Sequence, residues 1–145
     1  MCTGFIVVLV ALAMQIVDHF HVIQLANRAL DRVRRRVQVE TQGHRGRGTD
    51  PLYRIRRTLI TAQEHVSHDT SQRLASMLKL GDPHAEVAFT YRIKERLWET
   101  YQQHHYTQAE PMLDHLITTA KRASSPPEVQ QLARTLNRWK PQILA

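Results

Sequence analysis

The chain has a single cysteine, Cys2, so no intramolecular disulfide framework can form. That fits a reducing compartment. Five glycines and six prolines among 145 residues leave no low-complexity tract, and this length suits one domain with a real core. Aromatics make up 6%, too few for a stacking platform along a single strand. There is no Gly-x-Ser-x-Gly, no second cysteine for a zinc spacing and no Gly-Lys-Ser/Thr after the glycines of 43–48. A nucleophile elbow, a zinc finger and a nucleotide-type phosphate loop are thereby excluded. No hydrophobic run reaches the roughly 20 residues of a membrane span. Phe5 to Val17 is apolar apart from Gln15, but Asp18, His19 and His21 end it. Met1 to Gly4 carries no side-chain charge, so a basic leader is missing. Ala11-Leu12-Ala13 matches a cleavage pattern, but the stretch before it is too short for a signal peptide. No stable membrane association is expected.

What the chain has is clustered positive charge. Its formal net charge is +7. Arg28 to Arg57 holds ten arginines against three acids (Asp31, Glu40, Asp50), which is the whole excess; the remainder is balanced at ten and ten. Arginine concentrated on one segment is the footprint of a polyanion binder. The competing reading is a solvated helix face.

Periodicity organises the rest. Val22, Leu25, Ala26, Ala29, Leu30, Val33 and Val37 form one helical stripe, with Arg28, Arg32 and Arg35 on another face. Three glycines in 43–48 then predict a flexible break. Asp50-Pro51 signals a second helix, capped by Asp50 and buried through Leu52, Ile55, Leu59, Ala62 and Val66. A short third helix carries Leu74, Met77 and Leu78 and stops at Gly81. Asp82-Pro83 opens a fourth, running to about His104 and apolar over more than half its circumference, hence central. Thr107 to Glu110 and Ser125 to Glu128 are start patterns for a fifth and a sixth, and Pro141 ends the last. The expected fold is mainly α, about six helices in a bundle. Ahead of them lies an N-terminal apolar segment, residues 1–17, either strand or helix. β-Branched Ile6, Val7, Val8 and Val10 favour the strand; Ala11, Leu12, Ala13 and Met14 favour the helix.

Asp18 closes the apolar run just before the basic helix. A carboxylate at a strand end can ligate a divalent cation, but two-metal phosphoryl transfer needs several converging carboxylates. By spacing alone Asp18 reads as a helix N-cap. His19 and His21 would point to opposite faces of a strand, which is wrong for one metal.

Ile16-Val17-Asp18-His19-Phe20-His21-Val22, running into Leu25 to Arg36, resembles the middle of a DDE transposase of bacterial insertion sequences. The similar subgroup has an RNase H-like catalytic domain interrupted by a helical insertion. Gly43-His44-Arg45-Gly46 leading to Asp50-Pro51-Leu52-Tyr53, Gly81-Asp82-Pro83, and Leu132 to Leu136 with Arg138-Trp139 look similar too. The resemblance implies that Asp18 is the second carboxylate of the Asp-Asp-Glu triad. In the intact family that triad holds two Mg2+ ions for attack on DNA phosphodiesters. It assigns residues 18–145 to the helical part of the catalytic domain. It also makes Arg28, Arg32, Arg35, Arg36, Arg45, Arg47, Arg54 and Arg57 contacts to the DNA backbone. The first Asp, the final Glu and the end-recognition segments have no counterpart here. The expectation is therefore a partial cytoplasmic bacterial transposase, inactive alone and binding no stable metal. Its partners would be DNA and another transposase chain. The alternative is a basic helical DNA-binding protein without catalytic ancestry.

Overall fold

The computed structural model describes residues 2–44 and 46–144, with the backbone alone given for 2–19. All regular elements among them are helical. They are α1 (Cys2–Gln42), α2 (Pro51–Arg54), α3 (Arg56–Leu59), a 3-10 turn (Gln63–His65), α4 (His68–Gly81), α5 (Glu86–Tyr101), α6 (Tyr106–Ala120) and α7 (Pro127–Leu144). The mainly helical expectation holds.

The backbone of α1 is helical through residue 18. Of the two options for the apolar segment the helix is found, and Asp18 stands neither at a strand end nor at an N-cap. The helix stops at Gly43, whose φ of 75° only glycine adopts freely; its N–H returns to the carbonyl of Val39 at 2.8 Å.

The α1 stripe is the spine of two adjoining cores. Val22, Ala26 and Ala29 meet Ile93 and Leu97 of α5, Leu113, Leu116 and Ile117 of α6, and Val129, Leu132 and Leu136 of α7. One or two turns further on, Leu30, Val33 and Val37 meet Leu52, Ile55, Leu59, Leu74 and Val87. The α5 helix reaches both cores through Val87 and through Ile93 and Leu97, as its wide apolar face required.

Several boundaries differ from the sequence pattern, each for an identifiable reason. The stretch from Pro51 to Val66 is two short helices and a turn rather than one helix. Lys94 of α5 takes the carbonyls of Leu59 and Thr61, at 2.6 and 2.9 Å, and Glu95 takes the N–H of Gln63. These backbone groups bond across to α5 instead of along a helix. Asp50 makes no cap bond to α2; its carboxylate accepts the Arg47 N–H at 2.8 Å and so closes the glycine loop. That loop is also pinned at Gly46, where a Cβ would collide with Gln38 and Tyr53. The α4 helix is longer than predicted because Ser67 caps it, its Oγ accepting the Thr70 N–H at 3.2 Å. His105, not Thr107, precedes α6, and no side-chain cap bond forms there. The α7 helix continues through Pro141 to Leu144.

Asp82-Pro83 does begin the next helix, but at a distance. Asp82 accepts the N–H groups of Val87 and Ala88 at 3.2 and 2.9 Å, so α5 starts only at Glu86. Ala85, between them, sits at φ 54° and ψ 26°. That left-handed conformation costs a residue with a Cβ about 1–2 kcal/mol relative to glycine. Ala85→Gly is therefore expected to raise the unfolding free energy by about 1 kcal/mol, read as a higher urea midpoint at unchanged slope. A lower midpoint would contradict this account of the turn.

Candidate nucleic-acid interface

Three helical turns of α1 and the α2–α3 segment carry the basic cluster. Between them runs a groove of about 920 Å³, lined by Arg28, Arg32, Arg34 and Arg35 from α1, by Arg56, Arg57 and Ile60, and by Gln131 of α7. It continues past Arg34, Arg35 and Arg56 into a second hollow of about 570 Å³, bounded by Gln38, Val39, Gly46 and Tyr53. Helical spacing explains the α1 wall. Arg28, Arg32 and Arg35 lie four and three residues apart, so one face presents all three.

These arginines are held differently. Arg28, Arg32, Arg35 and Arg57 are exposed, and Arg28 and Arg57 make no ion pair among the described residues. The Nε of Arg35 meets Asp31 at 2.9 Å, an exposed pair of small energetic weight. Arg34 is buried in the groove wall. It donates to Asp31 at 2.7 Å and to Gln38 at 3.0 Å, so its charge is fixed in place. Arg56 lies over the Tyr53 ring, 3.9 Å from the centroid, and also donates to the Tyr53 carbonyl at 2.9 Å. Arg34 and Arg56 belong to the basic surface read from the sequence but were not among the expected DNA contacts, and both line the groove. The signal was available for both: each falls in the arginine cluster, and Tyr53 stands three residues before Arg56.

The other expected contacts are placed elsewhere. Arg36 faces away from the groove into three carboxylates. Its Nε donates to Glu128 at 2.7 Å, Nη2 to Glu86 at 3.0 Å and Nη1 to Glu40 at 3.1 Å. Hydrogen bonds from Glu128 and then Glu86 push its pKa well above the ordinary arginine value. Arg47 and Arg54 are exposed but line neither hollow. Arg45 and the side chain of Asp18 lie outside the described residues. No group of three His, Cys, Asp or Glu gathers among those described in a way that would hold a metal ion. The described residues thus do not by themselves make up a metal site. His21 stacks on Trp139 with centroids 5.4 Å apart. No helix among the described residues is long and apolar enough to cross a membrane.

Such a groove can hold a phosphate backbone: fixed positive charge on its wall and exposed guanidinium groups at its rim, with the Asp31 carboxylate beside it paired to Arg34 and Arg35. Comparison with known proteins gives this geometry its setting. A family model described as transposase, of the ISL3 group of DDE enzymes, matches residues 6–145. Neither the curated proteins nor the solved structures gave a match. With the match extending over nearly the whole chain, this protein belongs to the DDE transposases, a family whose partner is DNA.

Proposed function

We propose that this chain is the helical part of an insertion-sequence transposase and that its arginine groove holds the DNA backbone. The observation that carries the reading is the convergence of Arg28, Arg32, Arg35 and Arg57 on one groove, with Arg34 and Arg56 fixed in its wall. Phosphate contacts of this kind give affinity and position but no sequence readout. In the same reading, residues 1–17 are an apolar lead-in and residues 18–145 the helical part of the catalytic domain. Asp18 is then the triad carboxylate that would share Mg2+ with carboxylates contributed from outside the described residues.

Fluorescence anisotropy with a labelled duplex tests the groove. Four engaged arginines give a slope of about −4 in log K against log salt, so raising salt from about 50 to 200 mM weakens binding about 10²-fold. Arg57→Ala lowers the magnitude of the slope by about one across unrelated sequences. Affinity insensitive to salt, or unchanged by Arg57→Ala and Arg28→Ala together, refutes the interface. Asp18→Asn leaves this affinity unchanged, and the chain alone does not nick DNA. Mg2+-dependent nicking that Asp18→Asn abolishes would overturn that part.

A further inference from the structure

A further hollow adjoins the Arg36 bridge at Glu86, between the start of α5 and the turn from α6 to α7. It holds about 260 Å³ and shares no residue with the arginine groove. His84, Arg92, Arg122 and Ser124 line it, with Phe89 and Pro126 as its apolar side. None of those four polar side chains makes a hydrogen bond or ion pair among the described residues. The one carboxylate at its edge, Glu86, is already bound by Arg36 at 3.0 Å. The walls are fixed. Asp82 ties down the first turn of α5 through the N–H groups of Val87 and Ala88. Ser125, 7% exposed, donates from Oγ to the Thr119 carbonyl at 3.2 Å, and its own carbonyl accepts from Gln130 at 2.9 Å. Phe89 packs partly on the core, and Arg92 follows three residues on, on the same face of α5.

We infer that this hollow binds a phosphomonoester carrying one ring system, as a mononucleotide does. Charge selects the anion. Two uncompensated guanidinium groups call for about two negative charges, which a phosphomonoester carries and a phosphodiester inside a strand does not. Shape selects phosphate over carboxylate. Donors come from the segment before α5, from α5 itself and from the α6–α7 turn. Three separate donors suit three terminal oxygens better than the flat pair of a carboxylate. Size and the apolar side set the rest of the molecule. The volume falls just below that of drug-sized sites, and Phe89 offers an aromatic surface to one ring. Bound there, the ligand joins the start of α5 to the α6–α7 turn and stabilises the fold by mass action.

Calorimetry with phenyl phosphate at about pH 8, where it is a dianion, tests the site on the full chain without nucleic acid. Phenyl phosphate is expected to bind at least about tenfold more tightly than its monoanionic diester, methyl phenyl phosphate. It should bind about three- to tenfold more tightly than inorganic phosphate, the scale of one aromatic contact. Arg92→Ala and Arg122→Ala, both at exposed positions, should each weaken it about tenfold, the scale of a charge-assisted hydrogen bond. Arg28→Ala with Arg57→Ala should leave it within about twofold, so failure of the DNA groove and failure of this site are separate results. Saturating phenyl phosphate should raise the thermal midpoint of wild type but not of Arg122→Ala. Competition by adenosine 5′-monophosphate makes a free nucleotide the source. Competition by a 5′-phosphorylated duplex, beyond that of its unphosphorylated twin, makes it a strand end. Equal affinity for monoester and diester overturns the inference, as does binding that survives both Arg92→Ala and Arg122→Ala or is lost with Arg28 and Arg57 instead. Absence of saturable heat up to about 10 mM also overturns it.

Discussion

Lys94→Met is expected to cost about 3–5 kcal/mol of folding stability, the scale for stripping one partner from a buried ion pair. Lys94 is 4% exposed and Glu95 7%. The ammonium meets Glu95 at 2.7 Å, takes the carbonyls of Leu59 and Thr61, and stands 4.6 Å from the Tyr91 ring centroid. Burial lowers its pKa while Glu95 opposes that shift. Burial and then the Glu95 charge push Tyr91 up to about 12. Methionine matches the stem but supplies no donor, so two carbonyls at the end of α3 and one buried carboxylate lose their shared cation. Urea unfolding measures the loss. Lys94→Met with Glu95→Gln should cost clearly less than the two single changes added together, because the uncompensated charge is gone. A single-variant loss below about 1 kcal/mol would mean that water reaches the pair and that the pair does not fix the α3 break.

That break shows where the sequence was readable and where it was not. The α1 stripe and the central position of α5 follow from periodicity, a local property of the chain, whereas the start pattern at Thr107 did not place the beginning of α6. Pro51 to Val66 also has helical spacing, and it is the long-range bonds from Lys94 and Glu95, some 30 positions away, that divide it. Tertiary contacts routinely override local propensity in this way. The arginine groove was half legible. Composition located the cluster, and helix geometry grouped Arg28, Arg32 and Arg35. Only the fold could show that Arg57 faces them across the groove while Arg36, one residue past Arg35, turns into the body. A step of one residue on a helix is about 100°, so adjacent arginines can have unrelated roles.

Arg36→Ala is the other large effect, expected to cost about 2–3 kcal/mol by hydrogen bonds to charged groups, discounted for partial exposure. The guanidinium is 30% exposed and bridges α1 to the first turns of α5 and α7 through Glu86 and Glu128. Both carboxylates gain from the helix N-termini on which they sit, but without Arg36 they face one another uncompensated. Arg36→Lys should recover only part of the loss, because one ammonium cannot reproduce a fork that serves two carboxylates. Acid titration gives an independent check. Burial works against the Glu128 charge, yet the hydrogen bond from Arg36 holds its pKa below the ordinary 4.5. The pair's contribution is therefore complete above that value and is lost as pH falls through the lowered one. Wild type and Arg36→Ala should differ most in thermal midpoint at neutral pH and converge in strong acid; a gap that stays constant with pH would deny the link. The same variant separates the two kinds of arginine in this cluster. Because the Arg36 charge is spent inside the fold, a variant still folded under the assay conditions should keep the DNA salt slope unchanged, whereas Arg57→Ala, costing almost no stability, should reduce it by about one.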